Sequence, residues 1–581
     1  MAGYPHKYFF GLVLFLTIGL SRTGLAQVVD TVPSRNATAA SIDTDIVFTL
    51  SQAVDVSTIA DTVVYAWGRW SGRALGTVTV QQNGTEIRFS PERSFFYGEM
   101  VTVRLPSTLR MTDGSMLSGG YTLQFWTGLL STGAILSEVG RRSTRVSGET
   151  FIQSYGAYSG DLDSDGSVDL IVPNERTNDI RIFKNNGAGA FVDPTVVVSL
   201  IDGSAPSTNE GADFNRDGRM DFAVGNSTGN LVSVFTGDGT GGFSKQDTYA
   251  TGLGVRGLCT GDFNGDGWED IVTANRAVGK VYLLMNSGDG TFEDAVQLEP
   301  GGSGESGCAV ADYSGDGIED LFIGNLSSQT LTVMRGDGNG GFLTVNTIDV
   351  NGDPWMLAAG DLNGDGIPDI VSANSSGQNV SVTLMQEDGQ SLSHIEYFSG
   401  SFQLAVDLGD FDGDGDLDVV TSNFSSRDFT FWENKGDGIL DIYETFSTTG
   451  AGSCMILHDR DGDGDLDATG IDELSDELIF FENQVGVTGV EPRDDVFRIV
   501  ELFPNPAHDE VTIRYRTRST IHASVVVFDS IGREVARLMD GAIDSGERVH
   551  VWDISDLRSG VYFIRSNAAE VVAFRTLVIA K

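Results

Sequence analysis

Between residues 150 and 484, short apolar runs recur in pairs around an acidic turn. Met356, Leu357, Ala358 and Ala359 lead into one such turn. Leu170-Ile171-Val172, Phe222-Ala223-Val224, Ile271-Val272-Thr273 and Val419-Val420-Thr421 each leave one. Runs this short and this β-prone predict strands. The second run of each unit ends at Asn174, Asn226, Asn275, Asn325, Asn374 and Asn423, with Asp472 in the last copy. A third run follows, for example over 280–285, and a Gly-rich hairpin then leads to an aromatic and a fourth run, as at Phe191, Phe243, Phe292 and Phe342. Seven units of four antiparallel strands, stepping by 49 to 52 residues, predict an all-β, seven-bladed propeller. The seventh unit lacks a fourth run, and residues 133–147 belong to no unit. They are expected to supply that outer strand and close the ring, which leaves no exposed sheet edge.

The turn itself reads D-x-[DNS]-x-D-G-x-x-D in all seven copies. Calcium takes six to eight oxygen ligands, and a loop of this type offers side chains at positions 1, 3 and 5, a carbonyl at 7, and Gly at 6 for the turn. In the first copy these are Asp161, Asp163, Asp165 and the Ser167 carbonyl, with Asp169 closing the loop. The second has Asp213, Asn215, Asp217, Arg219 and Asp221; the third has Asp262, Asn264, Asp266, Trp268 and Asp270. Asp312, Ser314, Asp316, Ile318 and Asp320 form the fourth, and Asp361, Asn363, Asp365, Ile367 and Asp369 the fifth. The sixth and seventh are the most acidic: Asp410, Asp412, Asp414, Asp416 and Asp418, then Asp459, Asp461, Asp463, Asp465 and Asp467. Polar hairpin turns would account for each Asp-Gly pair but not for further oxygen side chains at fixed offsets. The loops concentrate 28 of the chain's 82 acidic residues, a crowding that is costly without a cation among them. About seven calcium sites are therefore expected, with Ser314 the weakest donor and the last two loops the tightest binders.

The net charge of −45 excludes nucleic acid as a partner, because phosphate binding needs Lys and Arg. At the N-terminus, Lys7 precedes an apolar run over 8–20, and Gly24 and Ala26 mark a cleavage site, so residues 1–26 read as a secretory signal peptide. That run is short for a membrane span, and no later segment approaches one. The three cysteines, Cys259, Cys308 and Cys454, sit in corresponding strands and offer no disulfide framework. Of six histidines only His394 and His458 fall in the repeats, and no catalytic arrangement accompanies them.

The seven loops and the apolar-Asn strand ends resemble the FG-GAP/VCBS repeat family, the β-propeller repeat of integrin α subunits. The resemblance covers roughly 150–484, and with its closing strand the propeller is expected to span 129–484. It implies that the calcium loop joins the first two strands of each blade, on the face opposite the usual ligand face. Carried onto this chain, it places Arg256, Glu305, Trp355 and Phe402, together with Arg176, Arg276, Gln378 and Arg427, in the loops of the ligand face. Trp355 is singled out as an exposed indole suited to stacking on a sugar or anchoring a protein contact.

Residues 27–128 carry alternating runs at 46–50, 77–80, 86–89, 101–103 and 121–125, and predict a β-sandwich of about seven strands. With Val32-Pro33-Ser34, Arg88-Phe89-Ser90-Pro91 and Phe125-Trp126-Thr127, this module resembles bacterial Ig-like domains. It is expected to act as a spacer or docking module whose stability is indifferent to calcium. After a linker at 485–497, residues 498–581 resemble the C-terminal sorting domain of the type IX secretion system. The matching residues include Leu502-Phe503-Pro504-Asn505-Pro506, Gly532-Arg533 and Gly560-Val561-Tyr562, with Lys581 at the end. That resemblance implies the type IX machinery as a partner and a secreted or outer-surface location. The expected function is adhesion to, or recognition of, a surface protein or glycan. A structural envelope spacer and a polysaccharide-active lyase or hydrolase are the alternatives.

Overall fold

The computed structural model describes residues 26–60, 63–130, 132–398 and 400–484. In the C-terminal part it describes 498–503, 507–508, 510–517, 521–529, 533–543, 546–555, 557–558, 560–568, 571–579 and 581. Most of the signal segment, the linker at 485–497, Pro504 to Pro506 and Gly532 lie outside these residues. The chain forms two compact units, the second made of Asn483–Lys581 with Leu130–Ser137 and Asp463–Asp465.

In the first unit, seven four-stranded antiparallel sheets follow one another along the chain. The innermost strands are Tyr158–Gly160, Pro206–Ala212, Val255–Gly261, Glu305–Ala311, Pro354–Gly360, Gln403–Gly409 and Gly452–His458. Each lies against the innermost strand of the next sheet, and the first lies against the seventh, so the neighbour relation is cyclic. The seventh sheet takes its outer strand, Leu136–Ser143, from ahead of the first. Every second strand, such as Asp169–Asn174 or Asp418–Asn423, is buried at all its positions. Sheets stacked face to face around a ring cover both faces of these strands, which is why their sequences are continuous apolar runs rather than alternating ones.

Neighbouring sheets approach closely at the residue before a loop. A Cβ on Gly360 would come within 2.7 Å of the Leu417 side chain, and one on Gly409 within 2.9 Å of Leu466. The Asn that ends six of the second strands is fully buried, and in several it staples the following turn. Asn174 donates to Asp179 at 2.8 Å, Asn374 to Asn379 at 2.6 Å and Asn423 to Asp428 at 2.6 Å. Asn at this position supplies a donor for a buried turn that would otherwise keep an unmet acceptor.

The N-terminal module is a sandwich of two four-stranded sheets. One contains Val28–Val32, Ile46–Leu50, Gly76–Gln81 and Glu86–Pro91; the other contains Tyr65–Gly68, Gly72–Ala74, Met100–Leu105 and Tyr121–Trp126. Phe48, Ile87, Phe89, Val103 and Phe125 lie at its centre. The second sheet turns its outer face to the ring: Tyr65 and Trp67 join one apolar cluster of the first two ring sheets, and Trp126 joins another in the fifth and sixth. Arg104 is buried between two ring carboxylates, pairing with Glu269 and, at 3.0 Å, with Glu319. Arg69 pairs with Asp407 at 2.9 Å. The sandwich is therefore fastened to the ring by buried charge as well as by apolar area.

In the second unit, Arg498–Phe503, Glu510–Thr517 and Gly546–Asp553 make a three-stranded sheet. Ile521–Asp529, Glu534–Ile543, Gly560–Ala568 and Val571–Ile579 make a four-stranded one. Val511, Ile513, Val525, Val527 and Ile564 form its core. Among the described residues no helix is long and apolar enough to cross a membrane.

Removing one member of a buried ion network strands its partners, at a cost of about 3–5 kcal/mol. Arg104→Ala is accordingly expected to destabilise the first unit by about that amount, measured by chemical unfolding. A loss under about 1 kcal/mol, the scale of an exposed pair, would show that this arginine is dispensable.

Candidate cation loops and the opposite face

Each acidic loop connects the first strand of a sheet to the second, and a common set of hydrogen bonds shapes it. The position-1 carboxylate accepts the N–H of the position-6 glycine: Gly166 to Asp161 at 3.0 Å, Gly267 to Asp262 at 2.7 Å, Gly366 to Asp361 at 2.7 Å and Gly415 to Asp410 at 3.0 Å. Those glycines, with Gly218, Gly317 and Gly464, hold φ between +82° and +98°, which excludes most side-chain-bearing residues. The position-5 carboxylate accepts the N–H of position 7, as Asp365 does from Ile367 at 2.9 Å. Position 9 opens the second strand and bonds the end of the third: Asp169 accepts from Asn185 at 2.7 Å and Asp418 from Asn434 at 2.8 Å.

These bonds leave acceptor capacity inside the loops. One carboxylate oxygen each of Asp163, Asp213 and Asp262 is buried with no hydrogen-bond partner. In the first loop, oxygens of Asp161, Asp163 and Asp165 lie within 4.8 Å of one another, as do those of Asp410, Asp412 and Asp418 in the sixth. Orphaned, converging carboxylate oxygens are the donor set of a hard cation such as calcium, and these residues fit it. Asn215, Asn264 and Asn363 hold position 3 of their loops, each donating its amide to the position-5 Asp at 2.9 to 3.3 Å.

Burial and mutual repulsion push these acids up. Burial is the larger cause throughout. Asp161, Asp213 and Asp412 rise to about 6, Asp169, Asp221, Asp262 and Asp410 to about 7, and Asp320 and Asp369 to about 8. Asp270 and Asp418 lie well above the usual carboxylate range. The neighbouring carboxylates that raise the loop acids are the charges a bound cation would offset.

The loops do not face open solvent alone. The sandwich reaches six of them. Asp161 N–H donates to the Trp70 carbonyl at 2.8 Å, the Tyr65 hydroxyl donates to Asp213 at 3.2 Å, and Ser107 N–H donates to the Gly265 carbonyl at 2.7 Å. In the next three loops Thr122 N–H meets Gly317 O at 2.7 Å, the Asn36 amide meets Gly366 O at 2.9 Å, and the Thr38 hydroxyl meets Gly415 O. The docking surface of the sandwich is therefore the loops themselves. Glu269 and Glu319, counted among the loop acids in the sequence, are also diverted to Arg104.

At the other ends of the inner strands the fold gathers aromatic and basic residues. Trp355 is half-buried rather than exposed. Its indole N–H donates to the Tyr155 hydroxyl at 2.9 Å, its ring lies 5.8 Å from that of Phe402, and the Arg276 guanidinium sits 4.6 Å above it. Arg256 stacks on Tyr155 at 5.2 Å and pairs with Glu175 at 2.8 Å. The sequence placed Trp355, Arg256 and Arg276 on one face but gave no sign of Tyr155, which precedes the first repeat. Arg176 stacks on Phe151 at 5.5 Å, and Arg427 is exposed at φ 62°. Neither joins the Trp355 cluster. Behind that cluster lies a cavity of about 270 Å³, walled by inner-strand residues such as Ser207, Glu210 and Cys259 and floored by Arg69, Arg104 and Trp126 of the sandwich. The three cysteines are free and buried. His458 is buried against Thr469 at 2.8 Å and held down to about 3 by that burial; His394 contacts Thr383 at 2.9 Å.

Comparison with known families assigns the three parts. The FG-GAP-like repeat profile matches 161–224, 213–273, 262–323, 312–372 and 361–421. A secretion system C-terminal sorting domain matches 501–580, and a bacterial Ig-like domain matches 22–127. No curated protein matches the chain. Among solved structures, BBS1N in complex with ARL6DN is 10% identical, with 61% of this chain and 99% of that chain covered at a TM-score of 0.43. An Agrocybe aegerita lectin, whose structure concerns recognition of non-reducing terminal N-acetylglucosamine, is 22% identical over 52% of this chain and 81% of its own, at a TM-score of 0.39. Likenesses at these scores carry no argument about this chain.

The loop acids give a signed pH dependence. Without cations, the folded chain holds their protons more tightly than the unfolded chain, whose acids titrate near the ordinary 3.8. Raising the pH from about 4 to 8 should therefore lower the melting temperature of the chelated protein. Millimolar calcium should reverse the trend, since deprotonated loops bind it best and a site filled a hundredfold above its Kd adds about 2.7 kcal/mol. Identical melting curves with chelator and with calcium at pH 8 would exclude a structural cation.

Proposed function

We propose, taking as premise that this is an FG-GAP-repeat β-propeller protein with a bacterial Ig-like domain and a secretion-system C-terminal sorting domain, that it is a calcium-stabilised recognition protein of the outer cell surface or secreted medium. The seven sheets serve as blades, and loops with converging carboxylates hold structural calcium. Extracellular sites need only weak affinity, on the order of 10⁻⁴–10⁻³ M, because calcium is plentiful outside cells. One observation carries the assignment of the binding face. The Ig-like module covers the loop face, which leaves the Trp355 end of the ring, with its aromatic and guanidinium groups around a cavity mouth, as the face open to a ligand. An aromatic cluster with arginines suits a glycan or a protein loop, since such side chains supply apolar area and directed hydrogen bonds together.

A catalytic role finds no support in the histidines, since one is buried and bonded to threonine and the other lies on an outer strand. A purely structural spacer would not need the paired arginines at the cavity mouth. The sorting domain directs the chain outward and supplies its contact with the type IX secretion machinery.

Two experiments test the reading. Trp355→Ala in the full chain is expected to weaken capture on a glycan array or in a pull-down from surface extracts by at least tenfold, with melting unchanged within a few degrees. Failure of the unsubstituted protein to capture any ligand would favour the spacer. Separately, a chain lacking 498–581 is expected to accumulate inside the outer membrane, and its normal appearance outside would reject the sorting role.

A further inference from the structure

The fourth loop matches the calcium pattern in sequence, yet its carboxylates are differently occupied from those of its neighbours. Asp312, at position 1, accepts from Gly315 N–H at 2.7 Å and Gly317 N–H at 2.8 Å, and its outer oxygen also takes the Arg35 guanidinium at 3.3 Å. That guanidinium lies close against the loop backbone, since a Cβ at Gly315 would stand 2.5 Å from its nearest nitrogen. Asp316, at position 5, pairs with Arg335 at 2.8 Å. Glu319, at position 8, is tied to Arg104 at 3.0 Å. Asp320 spends one oxygen on Gly336 N–H at 2.9 Å and the other on Ser314 N–H at 3.2 Å. Position 3 is Ser314, a neutral donor whose hydroxyl faces Asp312 at 3.4 Å. Three of the loop's four acids thus pair with an arginine, and two of those arginines come from the Ig-like module.

The sixth loop is the contrast. It holds five aspartates, and the leading charges acting on Asp410, Asp412 and Asp418 are those of other carboxylates, with no arginine among the described residues paired to them. Its oxygens converge as a ligand set, whereas those of the fourth do not form such a group among the described residues. A cation entering the fourth loop would have to displace Arg35 and Arg335 from carboxylates they already neutralise, and it would find a serine where the other loops offer Asp or Asn.

We infer that the fourth loop takes no calcium, and that Arg35, Arg335 and Arg104 replace the ion there. This makes the loop a cation-independent latch between the Ig-like module and the ring. The inference rests on the calcium reading of the other loops, and the test separates the two. Calcium bound per chain is measured by equilibrium dialysis of the full-length protein at saturating calcium, pH 8, for the unsubstituted chain and for single variants. Asp410→Asn is expected to lower the number bound by one, and Asp312→Asn to leave it unchanged. A loss of one ion in Asp312→Asn overturns the latch while sparing the calcium reading; no calcium bound to the unsubstituted chain overturns both. Should Asp312→Asn fold poorly, gain of a site replaces loss of one. Ser314→Asp alone is expected to add no ion, and Ser314→Asp combined with Arg35→Gln and Arg335→Gln to add one. An extra ion in the single Ser314→Asp variant would equally sink the proposal.

Discussion

Crowded like charge is the constraint on which the first unit depends. The repeat places three to five carboxylates in each nine-residue turn, and each turn sits where inner strands of adjacent sheets converge. Desolvated carboxylates at that density need a counter-charge or a proton. The chain answers in two chemical ways. Some loops keep converging oxygens, as around Asp161 and Asp410, and the fourth is closed by guanidinium groups. A cation and an arginine are unequal solutions. An ion is exchangeable and ties the fold to its surroundings, whereas an arginine is permanent and brings with it the segment of chain that carries it.

That difference explains how the Ig-like module comes to sit on the loops. Its contributions to the ring are arginines, hydroxyls, amides and backbone groups aimed at loop backbone and loop acids, with Tyr65, Trp67 and Trp126 filling the apolar gaps. Arg104 alone neutralises two acids from successive loops. A module joined in this way is part of the ring's charge balance rather than a separate bead on a tether. Its Arg69, Arg104 and Trp126 also line the cavity walled by the inner strands.

Much of this was legible in the sequence. The repeat step, the glycine at position 6 and the aspartate at position 9 follow from local turn geometry, which depends on few neighbours and therefore leaves a regular trace. The second strands announced themselves because burial on both faces favours apolar runs at their centres, such as Leu170-Ile171-Val172. What was not legible depends on partners far away in the chain. Tyr65–Gly68 is buried at every position, one side in the sandwich and the other against the ring, so it shows no alternation and reads as no strand at all. Trp355 reads as an exposed indole because nothing nearby in sequence covers it; the residue that does, Tyr155, is 200 positions away. Arg35 and Arg104 look like ordinary surface arginines of a β-sandwich until the ring supplies their acids.

The same reasoning bears on why the Trp355 cluster lies where it does. In a chain of net charge −45, an arginine is most easily satisfied by the nearest acid. Arg256 follows that rule with Glu175, but Arg276 lies over the Trp355 ring and is weakened as a base by its own desolvation and by the Arg256 charge. Two guanidinium groups held against one indole, on the face that the Ig-like module leaves uncovered, are an arrangement of like charge that mirrors the acid loops at the other end. By the physics that calls for a cation there, this end gains most from a ligand that brings hydrogen-bond acceptors to the arginines and a flat apolar surface to the rings.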